Sequence, residues 1–151
     1  MIKNDYHSII SANVSAEKAF HAINKVSDWW ASNINGKSEK LHDIFRVNFG
    51  KTYVEFRITE MIPNKKVVWL VTDCHLDWIH DKKEWKGTSM IFDITSKGNA
   101  TRVDVTHAGL VPEIECYNDC IKGWDFYIKD SLYHYLTEGK GKPESIGRNS
   151  N

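Results

Sequence analysis

Helical spacing of apolar residues dominates the C-terminal part of the chain. In the stretch PEIECYNDCIKGWDFYIKDSLYHYLTE, residues Tyr117, Ile121, Trp124, Ile128, Leu132 and Tyr135 recur at steps of three and four. At about 100° per residue they fall on one narrow stripe, which predicts a single long amphipathic helix from Pro112 to about Glu138. Pro112 suits the first turn, Glu113 and Glu115 sit near the positive end of the helix dipole, and Gly139, Gly141 and Pro143 stop it.

Upstream, the pattern shortens and changes period. DYHSIISA, residues 5–12, mixes β-branched and aromatic residues in partial alternation and predicts a first strand ending at Asn13. Ser15 is a candidate N-cap for a helix with Ala16, Ala19, Phe20 and Ile23 on its apolar face, and Ser27-Asp28 offers a second cap for a short turn through Trp29, Trp30 and Ala31. Adjacent tryptophans on a helix point about 100° apart, so one is expected in the core and the other at a cavity mouth or surface groove. From Asp43 the period becomes two. Residues 44–49 and 52–61 read as a hairpin about Gly50-Lys51, a further strand follows at 67–73, and a second hairpin joins 88–95 to 101–107. Val54, Phe56 and Ile58 form one inward face, and Val103, Val105 and His107 another. The segment CHLDWIHDKKEWKG, residues 74–87, fits no period and is expected to pass over the mouth of the fold. The resulting order, strand, two helices, several antiparallel strands and a long helix, predicts an α+β protein whose sheet wraps the last helix. Residues 1–143 are expected to form one domain and residues 144–151, which lack apolar periodicity, a mobile C-terminal tail.

Composition narrows the partners. Twenty basic residues balance twenty acidic ones among 151, which removes the basic footprint that nucleic acid or an anionic membrane surface requires. No apolar run reaches the roughly 18 residues of a membrane span. Three cysteines, with no apolar leader at the N-terminus, point to free thiols and a cytoplasmic location. Six Trp, six Tyr and six Phe are a heavy aromatic load, as found in cores and ligand pockets alike.

Trp29-Trp30 after the first helix, PNKKVVWLVTD, EWKGTSMIFDI and THAGLVPEIECYNDCIKGWDFYIKDSL together resemble the START-like (SRPBCC) superfamily. Within it, the resemblance is to stand-alone bacterial proteins of the group named after the activator of the heat-shock protein 90 ATPase. It covers the chain from about Asp5 to Pro143. The resemblance implies a helix-grip fold, a curved antiparallel sheet around a long C-terminal helix, with a cavity that in relatives receives lipids, sterols, polyketides or other apolar molecules. It also implies two alternatives to a binding protein: a cyclase- or hydrolase-type enzyme, or a protein-interaction module related to the co-chaperone.

The cavity candidates are Trp30, Phe56, Trp69, Trp78, Trp85, His107, Tyr117, Cys120 and Trp124, which would receive a small apolar or amphipathic molecule. Trp78 and Trp85, in the charged excursion, are expected in a lid rather than the core. His107 could bond a ligand carbonyl or activate a thiolate, but no third, orienting group accompanies it, so a satisfied core histidine is the expected role. Cys116 and Cys120 have the spacing of two metal ligands on a helix, yet Cys74, His75 and His107 are too scattered to complete a site, so both are expected as unbridged packing residues. No metal, cofactor or catalytic residue is assigned. Glu60, on the parity of Ile58, is the one carboxylate expected to face inward. Phe126 and Tyr133, seven apart and opposite the stripe, form a seam expected to contribute to a homodimer.

Overall fold

The computed structural model describes residues 4–143; the stretch expected as a tail, 144–151, lies outside them. β1 (Tyr6–Ala12) is followed by α1 (Ala16–Asn24) and α2 (Val26–Trp29), then by β2 (Ile34–Gly36), β3 (Ile44–Phe49), β4 (Thr52–Ile62), β5 (Lys66–His75), β6 (Ser89–Lys97) and β7 (Ala100–Ala108). The strands form one antiparallel sheet in the order β1-β7-β6-β5-β4-β3-β2. The curved sheet and a C-terminal helix of 22 residues make a helix-grip fold of the α+β class.

Period-two patterning explains the sheet. Val54, Phe56 and Ile58 of β4, Trp69 and Val71 of β5, Met90 and Phe92 of β6, and Val103, Val105 and His107 of β7 are all buried on the inner face. Trp29 joins them, with its ring centroid 6.4 Å from that of Trp69 and 6.2 Å from that of Phe92. Ser15 caps α1 as expected, its Oγ accepting the Lys18 N–H at 3.0 Å. Strand β2 was hidden by its turn residues, because Asn33-Ile34-Asn35-Gly36 reads locally as a break. Pairing with β3 extends it nonetheless, and Gly36 at φ +90° is required there, since a Cβ would run into the Ile44 carbonyl oxygen. Glu60 is a correction. A register irregularity between Ile58 and Glu60 breaks the alternation, so Glu60 turns outward toward Lys66 at 3.9 Å instead of sharing the face of Ile58.

The long helix starts later than its pattern predicts and is not uniform. It runs as α3 (Tyr117–Trp124), a π-helical segment (Asp125–Leu132) and α4 (Tyr133–Glu138). Its buried apolar residues, counted from the N-cap, are Cys116, Cys120, Trp124, Ile128, Leu132 and Leu136, one in every four, while Tyr117, Ile121 and Tyr135 are only partly buried. A step of four on an α-helix overshoots a full turn by about 40°, so five steps would carry such a row roughly 200° around. The π segment has i→i+5 bonds and wider turns, in which a step of four falls short of a full turn and the drift reverses. One face therefore stays on the sheet. Tyr6 Oη, donating to Asp125 Oδ1 at 2.9 Å, ties the start of the π segment to β1. Gly139, at φ +77°, closes α4 with its N–H on the Tyr135 carbonyl at 3.0 Å. Beyond it the chain returns against α2. The Lys142 N–H donates to Ser131 Oγ at 2.6 Å, and Ser131 Oγ donates to the Trp29 carbonyl at 2.5 Å.

Cys116 and Cys120 are bridged by a disulfide, which corrects the expectation of two unbridged thiols. Cys116 is the N-cap rather than a residue inside the helix, and its Cα lies 5.6 Å from that of Cys120, at the usual separation for a bridge. Cys74 is free and buried. Among the described residues no helix is long and apolar enough to cross a membrane, and no group of three or more His, Cys, Asp or Glu is placed to hold a metal ion.

Candidate functional site

An apolar cleft of about 320 Å³ opens where the first hairpin, the excursion after β5 and the N-terminal half of the long helix meet. Trp30, Phe49, Thr52 and Val54 line one side; Leu76, Trp78 and Trp85 come from the excursion. The helix supplies Asp119, Cys120, Gly123, Trp124 and Tyr127. The volume lies at the small end of the range for small-molecule sites. Trp124 is the centre of the wall: its ring centroid is 4.7 Å from that of Trp30 on one side and 5.9 Å from that of Trp85, nearly parallel, on the other.

Gly123 has a particular part in keeping this space. Glycine inside a helix costs about 0.5–1 kcal/mol relative to alanine, and no close backbone contact demands it here. A Cβ built at this position meets nothing within 4 Å. The missing side chain leaves its volume to the cleft.

The excursion is ordered by a reciprocal pair of carboxylates. Glu84 accepts the Glu115 and Cys116 N–H groups at 2.7 and 2.9 Å, satisfying donors at the start of the helix. Glu115 in return accepts the His80 and Asp81 N–H groups at 2.9 and 3.2 Å. These bonds, that of His80 foremost, hold the Glu115 carboxyl below its ordinary range. Lys82 Nζ donates to the Asp77 and Ile79 carbonyls at 2.7 and 2.8 Å, folding the loop on itself. At the rim, Trp78 is half exposed and its Nε1 donates to Asp119 Oδ2 at 3.3 Å, linking excursion to helix across the mouth.

Five of the nine expected cavity residues, Trp30, Trp78, Trp85, Cys120 and Trp124, line the cleft. Phe56 and Trp69 lie behind it in the core, with ring centroids 5.4 Å apart, and Tyr117 is partly buried without contributing to the wall. Trp85 is not a lid residue. It is buried edge-on against His107, 4.6 Å between centroids, with its Nε1 donating to Cys116 Sγ at 3.2 Å. Phe49, Thr52, Val54, Leu76, Asp119, Gly123 and Tyr127 were not anticipated, although a glycine in the middle of a strongly helical pattern was a legible signal for Gly123.

His107 is sealed behind Trp85 and Trp124. The Trp124 Nε1–H donates to Nδ1 at 3.0 Å, so Nδ1 is the unprotonated nitrogen, and Nε2–H faces Thr88 Oγ1 at 2.8 Å. Thr88 Oγ1 passes its own hydrogen to the Trp85 carbonyl at 2.6 Å. Burial pushes the imidazole pKa down from 6.5 to about 3. The chain is fully satisfied with a neutral ring, and His107 works as a structural hub.

No protein-family model and no curated protein matches the chain. Solved structures do. The solution structure of the Aha1 dimer from Colwellia psychrerythraea is 25% identical over 93% of this chain and 100% of that one, with a TM-score of 0.74. Protein SSP2350 from Staphylococcus saprophyticus is 14% identical over 93% of this chain and 98% of its own, with a TM-score of 0.69. The fold is START-like. CalU16 from Micromonospora echinospora adds a more distant case, 11% identical over 87% of this chain and 74% of its own at a TM-score of 0.64. The last two likenesses concern the fold alone.

Proposed function

We propose that this protein binds a small apolar or amphipathic molecule in the cleft between the sheet and the C-terminal helix. The observation that carries the reading is the cleft wall itself: six aromatic residues around about 320 Å³, with a helix glycine leaving the space unfilled. A cleft of this kind gains affinity by removing apolar surface from water, about 25 cal/mol per Å². The test combines a ligand panel with a filled cleft. A ligand at 100 times its dissociation constant adds about 2.7 kcal/mol of stability, measurable as a rise in melting temperature. Gly123→Leu should abolish that gain while leaving a folded protein. A gain that survives Gly123→Leu, or the absence of any gain across a broad apolar panel, would defeat the reading.

A second reading, self-association, is favoured by the full-length likeness to a dimeric structure together with the exposure of Phe126 and Tyr133 on the outer face of the helix, 42% and 37%. Light scattering should give a dimer that the double variant Phe126→Ser, Tyr133→Ser splits; a monomer at high micromolar concentration overturns it. The cytoplasmic setting belongs to the proposal as well: cell fractionation should recover the full chain with the cytoplasm, and its recovery in a membrane or extracellular fraction overturns that setting.

A further inference from the structure

Charge distribution around the cleft carries the argument from "apolar ligand" to a particular chemical class. Among its lining residues Asp119 is the one with a charge, and the rest of the wall is apolar or aromatic apart from the Thr52 hydroxyl. No Lys, Arg or His contributes to the wall. Basic groups close by in the chain or behind the wall are committed: Lys82 holds the Asp77 and Ile79 carbonyls, His75 Nε2 bonds Asp77 Oδ1 at 3.2 Å, and His107 is neutral behind Trp85 and Trp124. Lys51, Lys86 and Lys122, next to lining residues in the chain, are outside the lining set.

The helix end nearest the cleft already carries carboxylates. A helix N-terminus attracts carboxylates and phosphates through its free N–H groups. Here the Glu115 and Cys116 N–H groups already bond the Glu84 carboxylate, which adds negative charge beside the mouth. Asp119, in the first turn of α3, adds another. A ligand anion would meet carboxylates and no counter-charge.

Indole and phenol faces favour the opposite sign. The negative face of an aromatic ring attracts a cation, Trp most strongly. Trp78, hydrogen-bonded to Asp119 at the rim, places a ring and a carboxylate together where the polar end of an inserted molecule would sit. We propose that the cleft selects molecules with an apolar body and one positive charge, alkyl or aryl amines and quaternary ammonium compounds, with Asp119 facing the cationic end. This inference rests on the cleft being a ligand site.

Three probes of equal chain length separate the two claims: octyltrimethylammonium, octanol and octanoate, titrated into the full chain at low salt and followed by tryptophan fluorescence. The expected order of affinity is cation, alcohol, carboxylate, with the cation about tenfold tighter than the alcohol, the size of one cation–π contact plus one exposed ion pair. Asp119→Asn keeps an acceptor for the Trp78 N–H, and circular dichroism establishes that it folds. It should narrow the gap to about threefold, the cation–π share, and leave the alcohol unchanged. If the alcohol binds but the cation gains nothing over it, if octanoate binds as well as the cation, or if Asp119→Asn keeps the tenfold gap, the charge selection is overturned and the apolar site stands. If none of the three binds, both claims fall.

Discussion

Replacing His107 with glutamine isolates a source of acid lability built into the core. In the folded chain the imidazole stays neutral down to about pH 3, whereas in the unfolded chain it takes up a proton near 6.5. Its folded pKa is depressed, so its contribution is present above pH 6.5 and is lost as pH falls from there toward 3. Below 6.5 the unfolded state carries one extra proton, and stability drops by about 1.4 kcal/mol per pH unit. Between about pH 7.5 and 4.5 the loss from this one side chain amounts to about 3 kcal/mol. Glutamine keeps an oxygen for the Trp124 N–H and a donor for Thr88 but cannot titrate. Urea unfolding of wild type and His107→Gln across this range gives the difference in stability at each pH, from which all shared titrations cancel. That difference should move against the wild type by about 3 kcal/mol as pH falls. Stopping near pH 4.5 keeps the Glu115 carboxyl out of the measurement, since its depressed pKa places its own loss below its ordinary value of 4.5. A flat difference curve, or an imidazole seen by NMR to titrate above pH 6 in the folded protein, would refute the reasoning.

Two further outcomes follow from particular contacts. Glu84→Ala removes the acceptor for two N–H groups at the start of the helix and should cost about 1–2 kcal/mol, with faster amide exchange at Glu115 and Cys116 as the local readout; unchanged exchange there would show that Glu84 does not order the helix start. Gly139→Ala places a Cβ at φ +77° and should cost about 1 kcal/mol in thermal or urea unfolding, with ligand affinity unaffected because the site lies at the other end of the helix.

Regular alternation made the hairpins legible, since a strand with one buried face writes its register into the sequence as apolar positions two apart. Val54, Phe56 and Ile58 are the plain case. Glu60, two residues on, shows the limit: a bulge adds no distinctive residue, yet it inverts the parity of everything beyond it. The helix was legible as a helix but not in its buried row, because a spacing of four fits neither an α-helix nor a π-helix alone and only a mixture holds it on one face. Its start lies later than the pattern places it, because the carboxylate that holds the residues just before it, Glu84, comes from another part of the chain. For the candidate site, the large aromatics were visible and their sorting was not. Whether Trp69 or Trp85 faces a cleft depends on the excursion, whose order comes from hydrogen bonds across the fold rather than from any periodicity. Trp30 and Trp124 lie at the junction of well-patterned elements and were the easier pair.

The arrangement of the tryptophans has an optical consequence. Trp29, Trp69, Trp30, Trp124 and Trp85 form, in that order, a continuous chain of rings, with successive centroid steps of 6.4, 6.2, 4.7 and 5.9 Å. At such spacing their transition dipoles couple, so excitation absorbed anywhere in the chain is shared, and the emission belongs to the cluster rather than to one residue. Trp78, half exposed at the rim, is absent from that series of ring contacts. The protein therefore carries a collective emitter that runs from the core to the cleft wall and a separate one at its entrance, and a molecule entering the cleft would pass the second before it reached the first.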